Sequence, residues 1–113
     1  MQITINFNLT SDDFADIFDT AGYAIGYWVD EAEYDAVSEI YSLSCEEGAE
    51  IHTVCKSDAE RAIALITENR VEISDNIRAD IMAAIKENDY GYIDGYAADA
   101  IIQVACFKEI VYG

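Results

Sequence analysis

Residues 2–9, QITINFNL, alternate Ile3, Ile5, Phe7 and Leu9 against Thr4, Asn6 and Asn8, the period-two pattern of a half-buried strand. The period then changes. Phe14, Ile17, Phe18, Ala21, Ile25 and Trp28 recur at helical spacing, behind Thr10 or Ser11 as N-cap and with Asp12 and Asp13 at the positive end of the helix dipole. This spacing predicts a helix over about residues 12–28, with Trp28 continuing its buried stripe and with Gly22 and Gly26 placed to shorten or bend it. After the acidic segment Asp30–Asp35, residues 36–45 alternate with Val37, Tyr41, Leu43 and Cys45 on one side. Glu46-Glu47-Gly48-Ala49 then supplies a turn into Ile51–Cys55, which together read as a hairpin.

The second half is helical in pattern. Ser57-Asp58-Ala59-Glu60 has the form of a capping box ahead of Ala59, Ala62, Ile63 and Ile66, predicting a helix over about residues 58–69. Ser74 can cap a third helix striped by Ile77, Ile81, Ala84 and Ile85, and Asp94 a fourth through Ala97, Ile101, Ile102, Ala105 and Phe107. Strand, helix, hairpin and helices in that order imply an α+β domain, not the alternation that parallel crossovers require. The expected architecture is a small antiparallel sheet, formed by the N-terminal strand and the hairpin, packed against about four helices. Proline is absent and no repeat or linker interrupts the apolar periodicity, so residues 1–113 read as one domain.

Composition removes several classes of function. With 52% hydrophobic and 12% aromatic residues, the chain has the apolar content that disordered acidic tails lack. Its formal charge of −17 repels nucleic acid and anionic membrane alike. The N-terminus has neither a basic region nor an apolar stretch of signal-peptide type, and no run suits a membrane span, so a soluble, cytoplasmic protein is expected. Cys45, Cys55 and Cys106 are odd in number, which fits reduced thiols better than a disulfide framework.

Candidate chemistry is sparse. Cys45, His52, Cys55 and Cys106 supply enough ligands for a zinc ion. If the hairpin turns through residues 46–49, however, Cys45 and His52 share a face while Cys55 points to the other. Glu31, Glu33 and Asp35 alternate like the start of an EF-hand loop, but Ala36 and Ser42 occupy the positions that need glycine and a bidentate glutamate. No phosphate-binding glycine loop, nucleophile elbow or zinc-protease motif is present. Neither an enzymatic role nor a cofactor is therefore expected.

The carboxylates themselves form the remaining constellation. Residues 1–55 hold twelve acids and no Lys or Arg, whereas residues 56–113 hold eleven acids and all six bases, so the halves carry −12 and −5. Asp12, Asp16 and Asp19 fall at i, i+4 and i+7 on the first helix, opposite its apolar stripe, with neighbours about 5–6 Å apart. DNA phosphates rise about 3.4 Å apart along each strand, so this row, with Asp30, Glu31, Glu33, Asp35, Glu46 and Glu47, offers charge at comparable density. Like charges at i, i+4 destabilise a helix, and a protein selected only to fold would intersperse lysines. The partner such a surface fits is a protein with a Lys/Arg-lined nucleic-acid groove.

Two segments carry a resemblance. Thr20-Ala21-Gly22-Tyr23-Ala24-Ile25-Gly26-Tyr27-Trp28 and the terminal run from Asp99 through Phe107-Lys108-Glu109-Ile110-Val111-Tyr112-Gly113 resemble a family of small phage and prophage proteins. In that family the first helix ends in a Gly-Ile-Gly-Tyr-Trp type sequence, and the last helix ends the chain in Phe-Gly-Glu-Ile-Val-Tyr-Gly. Lys108 replaces the usual glycine, which leaves the last helix free to run a residue or two further. The resemblance implies a phage or mobile-element origin, and small acidic phage proteins are similar in character to anti-CRISPR and anti-restriction inhibitors that imitate DNA. The expectation is an inhibitor of a host defence nuclease, a CRISPR effector or restriction enzyme, bound through the acids above in the host cytoplasm. The alternative is a small zinc- or thiol-containing accessory protein whose charge serves solubility.

Overall fold

The computed structural model describes residues 9–45 and 51–112. The predicted first strand lies outside these residues except for Leu9, which is buried and whose N–H donates to Glu60 at 2.8 Å. Thr10 caps helix α1 (Ser11–Gly22): its hydroxyl accepts the Asp13 N–H at 3.0 Å, and the Asp13 carboxylate accepts the Thr10 N–H at 3.2 Å. This reciprocal box satisfies two amides that a helix start otherwise leaves unpaired. Phe14, Ile17, Phe18 and Ala21 form the buried face of α1. The helix stops at Gly22, short of the predicted end at 28, and a 3₁₀ turn over Ile25–Tyr27 follows. Trp28 is buried as expected, but it enters the core from beyond this turn and not along the helix stripe.

The acidic segment is a strand. Strand β1 (Val29–Asp35) pairs antiparallel with β2 (Ile40–Cys45), which pairs antiparallel with β3 (Ile51–Val54), in the order β1-β2-β3. Ala32 and Tyr34 lie opposite Leu43 and Tyr41 on the inner face, while Glu31 and Glu33 lie opposite Ser44 and Ser42 on the outer one. The alternation is masked in the sequence because an irregularity between Val29 and Glu31 shifts the register and because the outer positions are charged. Val37, expected in the second strand, sits fully exposed in the turn over 36–39. There Asp35 organises the chain: its carboxylate accepts the Val37 N–H at 2.9 Å, and its carbonyl accepts the Glu39 N–H at 2.7 Å. The β2–β3 hairpin has the expected register, with Leu43 opposite His52 and Ser44 opposite Ile51.

The helices form as the pattern indicates, with one shift. Helix α2 (Lys56–Thr67) is capped by Cys55 and not by Ser57, because Asp58 accepts the Cys55 N–H at 3.0 Å. Glu60, freed from the predicted box, holds Leu9 instead. Ser74 caps α3 (Asp75–Glu87) and Asp94 caps α4 (Gly95–Phe107), as expected. Arg78 on α3 donates to the carbonyls of Ile66 at 3.1 Å and Val71 at 3.2 Å, tying α3 to the C-terminal end of α2 and the segment after it. Residues 97–104 of α4 are buried all round, so this helix is the centre of the domain, with α1, α2, α3 and β3 against it. Among the described residues the result is an α+β fold of a three-stranded antiparallel sheet and four helices.

Lys108 does not extend α4. It adopts φ 64°, the left-handed conformation that ends helices and favours glycine, and its N–H closes on the Val104 carbonyl at 2.8 Å. Lys108→Gly is therefore expected to stabilise the protein by about 1 kcal/mol, since only the side chain opposes this conformation. Equilibrium urea unfolding measures it, and an unchanged or lowered midpoint would contradict the account.

Candidate functional site

Asp12, Asp16 and Asp19 are exposed along α1, on the side away from Phe14, Ile17 and Phe18. Asp30, Glu31, Glu33 and Asp35 are exposed on β1, at one edge of the described sheet. Packing brings one end of each row, Asp19 and Asp35, near the same tyrosine. Phe18 stacks on Tyr41 at 4.1 Å and Phe14 meets Tyr34 edge-on at 6.0 Å, so the buried face of α1 meets β1 and β2 through these rings. Partial burial, then the charges of Glu39, Asp19 and Asp35, hold the Tyr34 phenol above its ordinary range. Burial and Asp19 do the same to Tyr41. Asp19 of α1 and Asp35 and Glu39 at the end of β1 and in its turn thus lie near Tyr34, whereas Glu31 and Glu33 face the other side of the sheet. Glu46 and Glu47 lie outside the described residues.

Among the described residues, none of these acids is in an ion pair. The three ion pairs, Arg61–Asp58 at 3.3 Å, Arg70–Glu68 at 4.0 Å and Arg78–Asp75 at 3.1 Å, all join groups of the second half. The outer sheet face adds a shallow depression between Glu31, Glu33, Ser42, Ser44 and the exposed Ile51. Asp35 has a double role, because the amides of Val37 and Ser38 hold its carboxyl below the usual carboxylate range while it remains at the surface.

The proposed metal ligands separate. His52 packs edge-on against Phe107 at 5.0 Å, and the Cys55 thiol lies 3.0 Å from the Ser57 hydroxyl and 3.3 Å from Asp58 at the start of α2. All three cysteines are free thiols, and among the described residues no three His, Cys, Asp or Glu side chains are grouped to hold a metal. Burial pushes the Cys106 thiol up to about 12, with Cys45 and Asp58 adding to the rise. Such a thiol is a packing group and a poor nucleophile.

A second polar feature is not legible in the apolar spacing. Asp99, 9% exposed, and Gln103, 1% exposed, stand one turn apart on α4. Asp99 accepts from the Trp28 indole N–H at 2.8 Å and from the Tyr27 hydroxyl at 2.5 Å. The Gln103 amide nitrogen faces Asp99 at 3.0 Å, Tyr27 at 3.2 Å and the Tyr112 carbonyl at 3.1 Å, and its oxygen accepts the N–H groups of Val111 and Tyr112, both at 2.8 Å. Burial and Asp99 push the Tyr27 phenol up to about 12, so it stays a donor. Trp28 also stacks on Tyr112 at 5.0 Å. The Tyr27-Trp28 segment and the C-terminal segment, distant in sequence, therefore meet on one pair of α4 side chains. The signal available in the sequence was two polar residues four apart inside the apolar run 97–104.

No family model, curated protein or solved structure matches this chain. Among the described residues, no helix is long and apolar enough to cross a membrane.

Proposed function

We propose that this protein is a phage-derived inhibitor of a host defence nuclease, a CRISPR effector or a restriction enzyme. It acts in the host cytoplasm, binding stoichiometrically through an acidic surface that takes the place of DNA. The observation that carries this reading is that the exposed acids of α1 and β1 are in no ion pair among the described residues, with Asp19 of the helix and Asp35 of the strand near the same ring, Tyr34. Asp12, Asp16 and Asp19 along α1 and Glu31 and Glu33 on the outer face of β1 are held on regular elements, so their charges are fixed in place. A basic groove that binds a phosphate track meets the same sign of charge. Binding, and not catalysis, is the activity such a surface supplies.

The test uses purified guide-loaded CRISPR effectors and restriction endonucleases, with DNA binding read by mobility shift. Native protein should displace DNA from its target with an affinity that falls steeply between low and high salt, because exposed charges are screened beyond about 8 Å at physiological ionic strength. Changing Asp12, Asp16 and Asp19 to Asn, or Asp30, Glu31 and Glu33 to their amides, should lower inhibition at least ten-fold. The matched control changes Asp80, Glu87 and Glu109 to their amides and should have little effect. Asp35 is left in place because it builds the turn. Circular dichroism verifies folding. Equal losses from both sets would leave only diffuse electrostatics, and a flat salt profile would reject DNA imitation.

A further inference from the structure

The Asp99–Gln103 pair lies at the base of a cleft of about 700 Å³ between the 3₁₀ turn, the start of α3 and α4. Tyr23, Tyr27, Tyr96 and Tyr112 line it, and Ile73 and Ile77 supply an apolar wall. Tyr23 is 95% exposed and Tyr96 is 77% exposed, so large rings project to water beside a buried carboxylate. Rings held out in this way contribute nothing to the core, and tyrosine is among the residues that carry binding energy in protein interfaces.

The chemistry of the cleft selects for a cation. Its charged lining groups are Asp99 and Glu72, and no Lys or Arg lines it. Asp99 Oδ1 accepts two donors, from Trp28 and Gln103, whereas Oδ2 accepts one, from Tyr27. A carboxylate oxygen has room for two, so Oδ2 keeps an acceptor position. The N-terminus of α3 at the cleft wall does not reverse the sign. Ser74 caps it and Asp75 stands in its first turn, which offsets the partial positive charge of the helix end. A planar guanidinium satisfies both demands of the site, stacking its face on tyrosine rings and directing N–H donors to a carboxylate.

We propose that this cleft receives an arginine side chain of a protein partner, with the guanidinium directed to Asp99 and stacked among Tyr23, Tyr27 and Tyr96. Ile73 and Ile77 cover the apolar residues that flank this arginine. The contact uses groups other than the acid rows of α1 and β1 and does not depend on their role.

Trp28 is the single tryptophan, and its indole N–H is bonded to Asp99, so its resonance in a ¹H–¹⁵N NMR spectrum reports on the cleft. Titration with N-acetyl-arginine amide should shift that signal saturably, while the neutral isostere N-acetyl-citrulline amide should not. Tyr23→Ala and Tyr96→Ala, both at exposed positions, should each weaken binding about two- to five-fold without changing the urea midpoint. N-acetyl-Leu-Arg-Leu amide should bind at least three-fold more tightly than the single residue. The Asp12, Asp16 and Asp19 to Asn variant should bind the probe unchanged, which separates this site from the acidic surface. The proposal is overturned if citrulline shifts the signal equally, if arginine perturbs only α1 and β1, or if the tyrosine variants bind as native. A tripeptide no tighter than the free amino-acid derivative overturns the assignment to a protein partner.

Discussion

Gln103→Leu is expected to lower the unfolding free energy by about 2–4 kcal/mol and to release the C-terminal segment from α4, because each buried group left without a partner costs about 1–3 kcal/mol. The glutamine is buried, and both ends of its amide are used. Leucine keeps most of the volume, so the loss measures polar satisfaction and not a cavity. The N–H groups of Val111 and Tyr112 lose their acceptor, and Asp99 loses one of its three donors. Part of the penalty is recovered because Val111 is at the surface and its amide can be rehydrated. Urea unfolding gives the free energy, and limited proteolysis with mass spectrometry locates the release after Phe107. A variant as stable as native, with an intact C-terminus, would mean that packing of Ile110 and Tyr112 against the core, Trp28 and Phe107 included, holds the segment without the glutamine.

Raising the pH from 8 to 11 is expected to unfold the protein progressively at fixed urea. Burial, with help from Cys45 and Asp58, lifts the Cys106 thiol from an ordinary 9.0 to about 12, and burial with Asp99 lifts Tyr27 from 10.0 to about 12. Tyr34, Tyr41 and Tyr90 are displaced in the same direction, chiefly by burial. Above pH 9 the unfolded chain releases these protons while the native chain keeps them. The native state then binds more protons than the unfolded state, and stability falls with pH. The contribution is complete below the unfolded values and disappears as pH rises through the native ones. Urea midpoints at pH 8, 9, 10 and 11 measure the slope, and Cys106→Ala should flatten its lower part. A midpoint constant over this range would show that these groups are as accessible to base in the fold as in the unfolded chain.

Much of the architecture was written in local signals. Thr10, Ser74 and Asp94 each accept a backbone N–H at a helix start because short polar side chains outside the helix can reach the orphan amides. The β2–β3 register followed from period two and the length of the turn, and the α1 acid row followed from helical spacing opposite Phe14, Ile17 and Phe18. The misplaced elements also have physical reasons. Strand β1 reads as an acidic loop because edge strands tolerate charge on their open face and need few apolar residues, and only pairing with β2 gives it extended structure. The start of α2 moved to Cys55 because Asp58 reached that amide, a choice among neighbouring caps that local preference does not decide.

By itself the sequence determined the sign and asymmetry of the charge, the α+β class and the starts of α1, α3 and α4, all properties of composition and near neighbours. Tertiary structure decided which groups act together. The approach of Asp19 and Asp35 to one ring required Phe14 and Phe18 to pack on Tyr34 and Tyr41, contacts between residues far enough apart that no spacing rule encodes them. The union of Tyr27, Trp28, Asp99, Gln103 and Tyr112 spans most of the chain. It arises because two polar groups on the central helix, once buried, require partners, and only the folded chain brings those partners within hydrogen-bond reach.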